Sequence, residues 1–320
     1  MLGFLILFVF TCLVFFPTLK TSLDHDSEFI LPVLLLIVVA LLYQYKNEFT
    51  DFFRLRQWDY ELSKEDFYNF LSVVGGALTA YLLSINLELG PVVAAGLVGV
   101  LIALLKPKYG VPVYCGAFVG MVSCDYLHTV PALLLAGVIG GVIFVVTGPV
   151  MNGFGGKLGT IAFAGCIFAG NILGSPLQSD SIPAWDTGWL IVFYSVLAAV
   201  ITYFLSVRLK HGPVMASGFV GLAGGLILPA LHAGVGETLG VMVICSSFAG
   251  MSSEERFPRT SHMIFAGFFT GLIFLFSLPY LGGPGGKLGT IAFGSVIAQR
   301  GIMEGVDILK TKIAPGRYGF

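Results

Sequence analysis

Apolar and polar residues are arranged in long blocks along the chain. Twelve blocks are apolar and approach the length of a membrane span, and Gly, Pro or charged residues separate them. They cover residues 2–18, 29–44, 67–85, 91–105, 111–124, 131–149, 156–174, 188–207, 213–230, 238–252, 262–280 and 286–299. A straight helix needs about 20 residues to cross a bilayer. The pattern predicts an all-α polytopic membrane protein with about twelve transmembrane segments, and the short fifth, tenth and twelfth blocks favour tilted, broken or re-entrant helices.

Basic residues are concentrated in alternate loops. On one face the loops and the C-terminal segment carry Lys46, Arg54, Arg56, Lys64, Lys106, Lys108, Arg208, Lys210, Arg256, Arg259, Arg300, Lys310, Lys312 and Arg317. The loops of the other face carry Lys20, and the segments 174–188 and 232–237 have no Lys or Arg. By the positive-inside rule, both termini are predicted to be cytoplasmic, in a multi-pass protein of the plasma membrane.

Composition narrows the class of protein further. Of the 320 residues, 56% are hydrophobic and 11% are charged, and the formal net charge is −1. A soluble domain carries about 25% charged residues, so we expect most of this surface to face the lipid bilayer. We expect no nucleic-acid partner, because phosphate binding needs a surplus of Lys and Arg. The five Cys lack metal-ligand spacing, and the sequence predicts no metal, no cofactor and no enzymatic activity.

An internal repeat is the most informative feature of the sequence. The nonapeptide GGKLGTIAF begins at Gly155 and again at Gly285. With the same offset of 130 residues, 22 of 51 positions are identical between 113–163 and 243–293. An offset of 122 residues continues the match upstream, over 90–99 of the first copy. Each copy contains five apolar blocks, and the two N-terminal blocks have no copy.

The repeat predicts how the chain is organised. Because five crossings are an odd number, the two copies would enter the membrane from opposite sides, as inverted repeats do. Ser63 and Asp66 are expected to cap the first helix of the first copy. The predicted parts are two N-terminal transmembrane helices (1–45), a cytoplasmic interfacial linker helix (46–66), membrane repeat 1 (67–187), membrane repeat 2 (188–304) and a cytoplasmic tail (305–320).

The repeated turn has the chemistry of an anion site. Consecutive glycines before a helix let a ligand approach the backbone, and free N–H groups, the helix dipole, an ammonium and a hydroxyl would then share one small volume. The predicted substrate-binding residues are Gly155, Gly156, Lys157, Gly159, Thr160, Gly285, Gly286, Lys287, Gly289 and Thr290. For each lysine taken alone, the alternative is an amine that reaches lipid headgroups from a helix end.

A second pair of matching segments carries hydroxyls and carboxylates. Ser123 corresponds to Ser253, and Asp125 corresponds to Glu255. Matched acids in inverted repeats are candidates for coupling a proton or Na⁺ to substrate movement. The alternative is that both acids are solvated in loops, since Arg256 and Arg259 follow the second one.

Three functions are compatible with these patterns. The leading hypothesis is a secondary transporter of a small anionic solute, with a site near the membrane midplane between the inverted repeats. A passive ion or small-solute channel would use the same two turns as constrictions of a pore. A non-transporting membrane scaffold or complex subunit is the third, and a homo-oligomer is compatible with each of them.

In arrangement, the two GGKLG turns are similar to those of the 2-hydroxycarboxylate transporter family, in which two glycine-rich re-entrant loops enter the membrane from opposite faces. The resemblance concerns arrangement alone. It implies neither a substrate nor a coupling ion for this chain.

Overall fold

The computed structural model describes residues 1–24, 28–55 and 62–313, and these residues form twelve α-helices and no β-strand. The helices are α1 (Leu2–Asp24), α2 (Leu31–Leu55), α3 (Lys64–Asn86), α4 (Gly90–Leu105), α5 (Gly110–Gly120), α6 (Val130–Thr147), α7 (Lys157–Leu173), α8 (Trp185–Tyr203), α9 (Pro213–Leu231), α10 (Gly236–Gly250), α11 (His262–Ser277) and α12 (Lys287–Ile313). The prediction of an all-helical fold is confirmed.

The lengths of the helices indicate an integral membrane protein. Within the described residues, six helices are long and apolar enough to cross a membrane, namely α1, α2, α3, α6, α8 and α9. Four further apolar helices, α4, α7, α10 and α11, are shorter. The length and apolar composition of these helices therefore support the helical membrane fold predicted from the sequence.

Large apolar side chains on the outer surface fit a lipid environment. On α8, every fourth residue from Trp189 to Ile201 is exposed, and these residues are Trp189, Phe193, Leu197 and Ile201. Residues four apart lie on one face of a helix, so the four side chains form a continuous apolar stripe. Exposure of such a stripe to water would be unfavourable, whereas the hydrocarbon chains of a lipid bilayer would cover it.

The linker predicted at 46–66 is helical in its first half. Helix α2 continues to Leu55, so this half extends the second N-terminal helix. Residues 56–61, with Trp58 and Tyr60, and the tail from residue 314 onward lie outside the described residues. The predicted cap of α3 is present, because the Asp66 N–H donates to Ser63 Oγ at 3.2 Å and the Ser63 N–H donates to Asp66 Oδ2 at 2.9 Å.

The helices of the two sequence copies have corresponding neighbours. Helix α3 packs against α5 and α6, and α8 packs against α10 and α11. In the same way α6 packs against α7, and α11 packs against α12. Helices α5, α7 and α10 are buried over most of their length and form the centre of the molecule.

Unusual backbone angles also recur at corresponding positions. Met151 and Leu281, which are 130 residues apart, have φ values of +50° and +56°. Glu88 and Lys210, which are 122 residues apart, have φ values of +53° and +58°. A left-handed conformation costs about 1–2 kcal/mol for a residue with a side chain. The recurrence shows that the sequence repeat is also a repeat of turn geometry.

The two N-terminal helices pack against this repeated core. Helix α1 contacts α6, α7, α11 and α12, and α2 contacts α12. Small residues permit the close approach: a Cβ added at Gly3 would lie 2.6 Å from the carbonyl oxygen of Val146 in α6. Helix α1 therefore bridges helices that belong to different copies of the repeat.

Candidate functional site

The two GGKLGT turns contact each other. A Cβ added at Gly289 would lie 2.5 Å from the Cα of Gly159, and a Cβ added at Gly159 would overlap Gly289 in the same way. Gly156 lies against Phe293, and its counterpart Gly286 lies against Phe163. The first turns of α7 and α12 thus cross with their backbones in direct contact.

Glycine is required where each of these helices begins. Gly156 and Gly286 have φ values of +85° and +86°, which side chains rarely adopt. A Cβ on Gly156 would lie 2.5 Å from the backbone nitrogen of Phe293, and one on Gly286 would overlap the backbone nitrogen of Phe163. Both the conformation and the lack of space exclude a side chain at these positions.

Other equivalent residues also meet each other. The rings of Phe118 in α5 and Phe248 in α10 have centroids 4.3 Å apart. A Cβ added at Gly218 in α9 would lie 3.0 Å from the carbonyl oxygen of Gly96 in α4. Three positions of the first copy therefore contact their own counterparts in the second.

Reciprocal hydrogen bonds connect each turn to the other copy. The Ser123 N–H donates to the Gly283 carbonyl at 2.8 Å, and the Ser253 N–H donates to the Gly153 carbonyl at 2.9 Å. Each bond joins the end of a central helix, α5 or α10, to the glycine-rich turn of the opposite copy. The turns are consequently built from both copies together.

The two lysine ammonium groups donate hydrogen bonds to different acceptors. Lys157 Nζ donates to the Gly148 carbonyl at 3.3 Å and to Asn152 Oδ1 at 2.8 Å. Lys287 Nζ donates to the carbonyls of Ser277 at 2.7 Å and Tyr280 at 2.5 Å. Gly148 and Ser277 lie at the C-terminal ends of α6 and α11, where a helix dipole attracts a cation. Each lysine therefore has hydrogen-bond partners at or just after the end of the preceding helix.

Each lysine lines its own cavity. The Lys157 cavity has a volume of about 350 Å³, and the Lys287 cavity has a volume of about 540 Å³. Their walls contain equivalent residues: Pro213 and Pro91, Val111 and Val241, Phe144 and Phe274, Ile161 and Ile291, Met251 and Met121, and Ser253 and Ser123, with the Lys157 cavity named first. The repeat therefore produces two similar cavities.

The two cavities lie at opposite ends of the central helices. Helix α5 begins near Val111 at the Lys157 cavity and is followed by Met121 at the Lys287 cavity. Helix α10 runs the other way, from Val241 at the Lys287 cavity to Met251 at the Lys157 cavity. Ten residues of helix between the cavities correspond to a separation of about 15 Å. The crossed turns and the pair of phenylalanine rings lie within the same buried centre of the molecule.

The predicted site residues are distributed over these features. Gly155, Gly156 and Lys157 line one cavity and Lys287 lines the other. Gly159 and Gly289 form the crossing, where Thr160 and Thr290 are fully buried. The Thr290 hydroxyl donates to the Gly286 carbonyl at 3.4 Å. Gly285 packs against α5, where a Cβ would lie 2.7 Å from the Val119 carbonyl oxygen.

Of the candidate coupling residues, the two serines line the cavities and the two acids do not. Ser123 and Ser253 line the Lys287 and Lys157 cavities, respectively. Asp125 and Glu255 are exposed, and neither carboxylate belongs to the residues that line these cavities. Across the described parts of the chain, no group of three His, Cys, Asp or Glu side chains could hold a metal ion.

A polar chain of contacts leads from α2 to Lys157. Arg256 donates to both carboxylate oxygens of Glu48, at 2.5 and 3.0 Å, and its Nε donates to the Asn152 carbonyl at 3.2 Å. The guanidinium also lies 4.4 Å from the centre of the Phe154 ring. The repeat could not reveal these contacts, because Glu48 lies outside it and Asn152 corresponds to Gly282.

Glu48 and Arg256 should be energetically coupled. Their side chains are 11% and 28% exposed, so water screens the ion pair only in part. We expect a double-mutant cycle of Glu48→Gln and Arg256→Gln, measured by unfolding of the purified chain, to give a coupling of about 1–3 kcal/mol.

The ion pair between Glu65 and Lys108 is a matched control, because its side chains are 60% and 64% exposed. Its coupling should be below about 1 kcal/mol. Equal coupling energies for the two pairs would contradict a structural role of the Glu48–Arg256 pair.

Comparisons of the chain with protein-family models, with curated proteins and with solved structures find no match.

Proposed function

We propose that this chain is a secondary transporter of a small anionic solute. The observation that carries the proposal is the presence of two similarly lined cavities, each with one lysine, at opposite ends of α5 and α10. Alternate opening of the two cavities would carry a ligand past the crossed turns. The solute would bind beside Lys157 or Lys287, near the first turn of the helix that each lysine begins.

The proposal includes an inverted orientation of the two repeats. A residue that contacts its own counterpart lies close to a two-fold axis, and Gly159 with Gly289 and Phe118 with Phe248 are such pairs. If all five helices of a copy cross the membrane, this axis lies in the membrane plane and the copies face opposite sides. The opposite directions of α5 and α10 support this arrangement. The two lysine cavities would then open toward different compartments.

The crossing favours a transporter over a continuous pore. At the crossing, backbone atoms of Gly159 and Gly289 are too close for even a methyl group between them. An ion cannot pass between groups in such contact, so passage at the crossing would require that the two copies move relative to each other. A rocking motion about the crossing would open one cavity while the other is covered.

Transport by reconstituted protein tests this proposal. In proteoliposomes loaded with a candidate anion, we expect saturable uptake and counterflow, and a loss of at least about tenfold in Lys157→Gln and in Lys287→Gln. Lys106→Gln is the control, because Lys106 is exposed and lies outside both cavities.

Other results would exclude a transporter. Flux that does not saturate would identify a channel instead. Uptake that is the same in both cavity variants and in the wild type would favour a scaffold. Variants of either lysine should first be shown to be folded, since each ammonium also binds helix-end carbonyls.

A further inference from the structure

We infer that the Lys157 cavity takes a small monovalent anion with an apolar body, such as a short-chain monocarboxylate. This inference rests on the proposed transport function and specifies the ligand of one of its two cavities. Three properties of the cavity carry it: its charge, its hydrogen-bonding groups and its walls.

The charge of the cavity fits one negative charge. Among the described residues that line it, Lys157 alone is charged. The nearby Arg256 is neutralised by Glu48 through two hydrogen bonds. A second negative charge on the ligand would lie among apolar side chains without a partner, which strongly disfavours binding. A monovalent anion is therefore matched to the cavity and a divalent one is not.

Two hydrogen-bond donors are available for the anion. The Lys157 ammonium has three N–H bonds and gives two of them to Gly148 and Asn152. Ser253 lines the cavity, and its Oγ is buried without a hydrogen-bond partner among the described residues. A buried hydroxyl without a partner is costly, so a ligand that accepts its hydrogen bond would be stabilised.

The equivalent hydroxyl in the other cavity, unlike that of Ser253, accepts hydrogen bonds from the protein itself. Ser123 Oγ accepts a hydrogen bond from Gln178 Nε2 at 3.1 Å and one from the Asp125 N–H at 3.2 Å. Asp180, on the same segment as Gln178, also lines the Lys287 cavity and supplies a negative charge there. Among the described lining residues, the Lys157 cavity therefore combines a lysine with an unpartnered hydroxyl and no acidic side chain, whereas the Lys287 cavity contains Asp180.

The walls of the Lys157 cavity favour an alkyl group. Val111, Phe144, Phe154, Ile161, Pro213 and Met251 supply most of its side-chain lining. A volume of about 350 Å³ is larger than a hydrated inorganic ion needs and admits a ligand of several carbon atoms. Each methylene that leaves water for such a surface should increase affinity about fourfold.

A series of sodium salts tests the inference on the purified full chain. Thermal stability is measured at constant pH and ionic strength with acetate, propionate, butyrate, chloride and succinate, and dissociation constants follow from the concentration dependence. We expect affinity to increase about fourfold per methylene from acetate to butyrate, with weaker binding of chloride and succinate. Lys157→Gln should weaken butyrate binding by at least about tenfold and Ser253→Ala by about fivefold, whereas Lys106→Gln should not change it.

The outcomes separate the ligand class from the transport function. A chain-length trend that persists in Lys157→Gln would overturn the inference, because butyrate would then bind elsewhere, as in the detergent or lipid. Binding of chloride or succinate that depends on Lys157 and exceeds that of butyrate would overturn the ligand class and leave an anion site in place. If no anion stabilises the wild type more than it does Lys157→Gln and Lys287→Gln, the proposed transport function fails as well. If Lys157→Gln does not fold, the same comparison is made with Ser253→Ala.

Discussion

Replacing either crossing glycine with alanine should destabilise the fold severely. In Gly159→Ala and in Gly289→Ala, the new methyl group would meet the backbone of the opposite turn, at 2.5 Å from the Gly159 Cα in the second variant. Backbone atoms in two buried helices cannot rotate away as a side chain can, so the helices must separate. We expect a loss of more than about 3 kcal/mol in the free energy of unfolding, measured by thermal or denaturant unfolding of the purified chain.

Two other helical glycines provide matched controls. A Cβ added at Gly75 in α3 or at Gly305 in α12 would meet no atom within 4 Å. Alanine has the higher helix propensity, so Gly75→Ala and Gly305→Ala should be neutral or stabilise by up to about 1 kcal/mol. Gly159→Ala with the stability of Gly75→Ala would show that the two turns do not cross as described.

Separation of the two turns in Gly159→Ala should also change transport. If folded Gly159→Ala protein can be recovered, the added methyl group would hold the two turns apart and favour leak across the crossing. If the crossing is the barrier to the solute, we expect unsaturated flux in Gly159→Ala and saturable flux in Gly75→Ala.

Much of the fold could be predicted from the sequence because the signals are local. Long apolar blocks predict helices wherever the backbone must satisfy its own hydrogen bonds in lipid. Gly156 and Gly286 precede helices, and their repeated surroundings predict the same turn twice. The positive φ values at both glycines agree with that expectation.

The contact between the turns could not be predicted in the same way. Gly159 and Gly289 are far apart in sequence, and identical nonapeptides do not indicate whether their helices meet or lie apart. The leading hypothesis from the sequence places one site between the repeats, whereas the lysine side chains diverge from the crossing into separate cavities. The direction of a side chain depends on its partners, here carbonyls at the ends of α6 and α11.

Two polar residues without a counterpart in the other copy form contacts that the repeat does not predict. Glu48 belongs to the predicted interfacial linker, yet its carboxylate binds Arg256 in the loop after α10. Gln178 lies in a polar loop and has no counterpart, yet it pairs with Gly282 through two backbone hydrogen bonds of 2.9 Å. Such long-range polar contacts have no periodicity, so the repeat and the hydrophobic pattern could not reveal them.

We expect the equivalent positions 124 and 254 to be accessible from opposite sides of the membrane. Cys124 is exposed and lines the Lys287 cavity, and its counterpart 130 residues later is Glu254, which is also exposed. If the repeats are inverted, these positions face opposite compartments. Cys115, Cys166 and Cys245 are buried, so replacing Cys12 with Ser leaves Cys124 as the accessible thiol among the cysteines.

Labelling of these two thiols tests the inverted orientation most directly. One protein keeps Cys124 and carries Cys12→Ser, and the second carries Cys12→Ser, Cys124→Ser and Glu254→Cys. An impermeant maleimide is applied to sealed vesicles from outside, and again after permeabilisation. We predict that one of the two proteins is labelled in sealed vesicles and the other only after permeabilisation. Labelling of both proteins in sealed vesicles, or of both only after permeabilisation, would contradict the account.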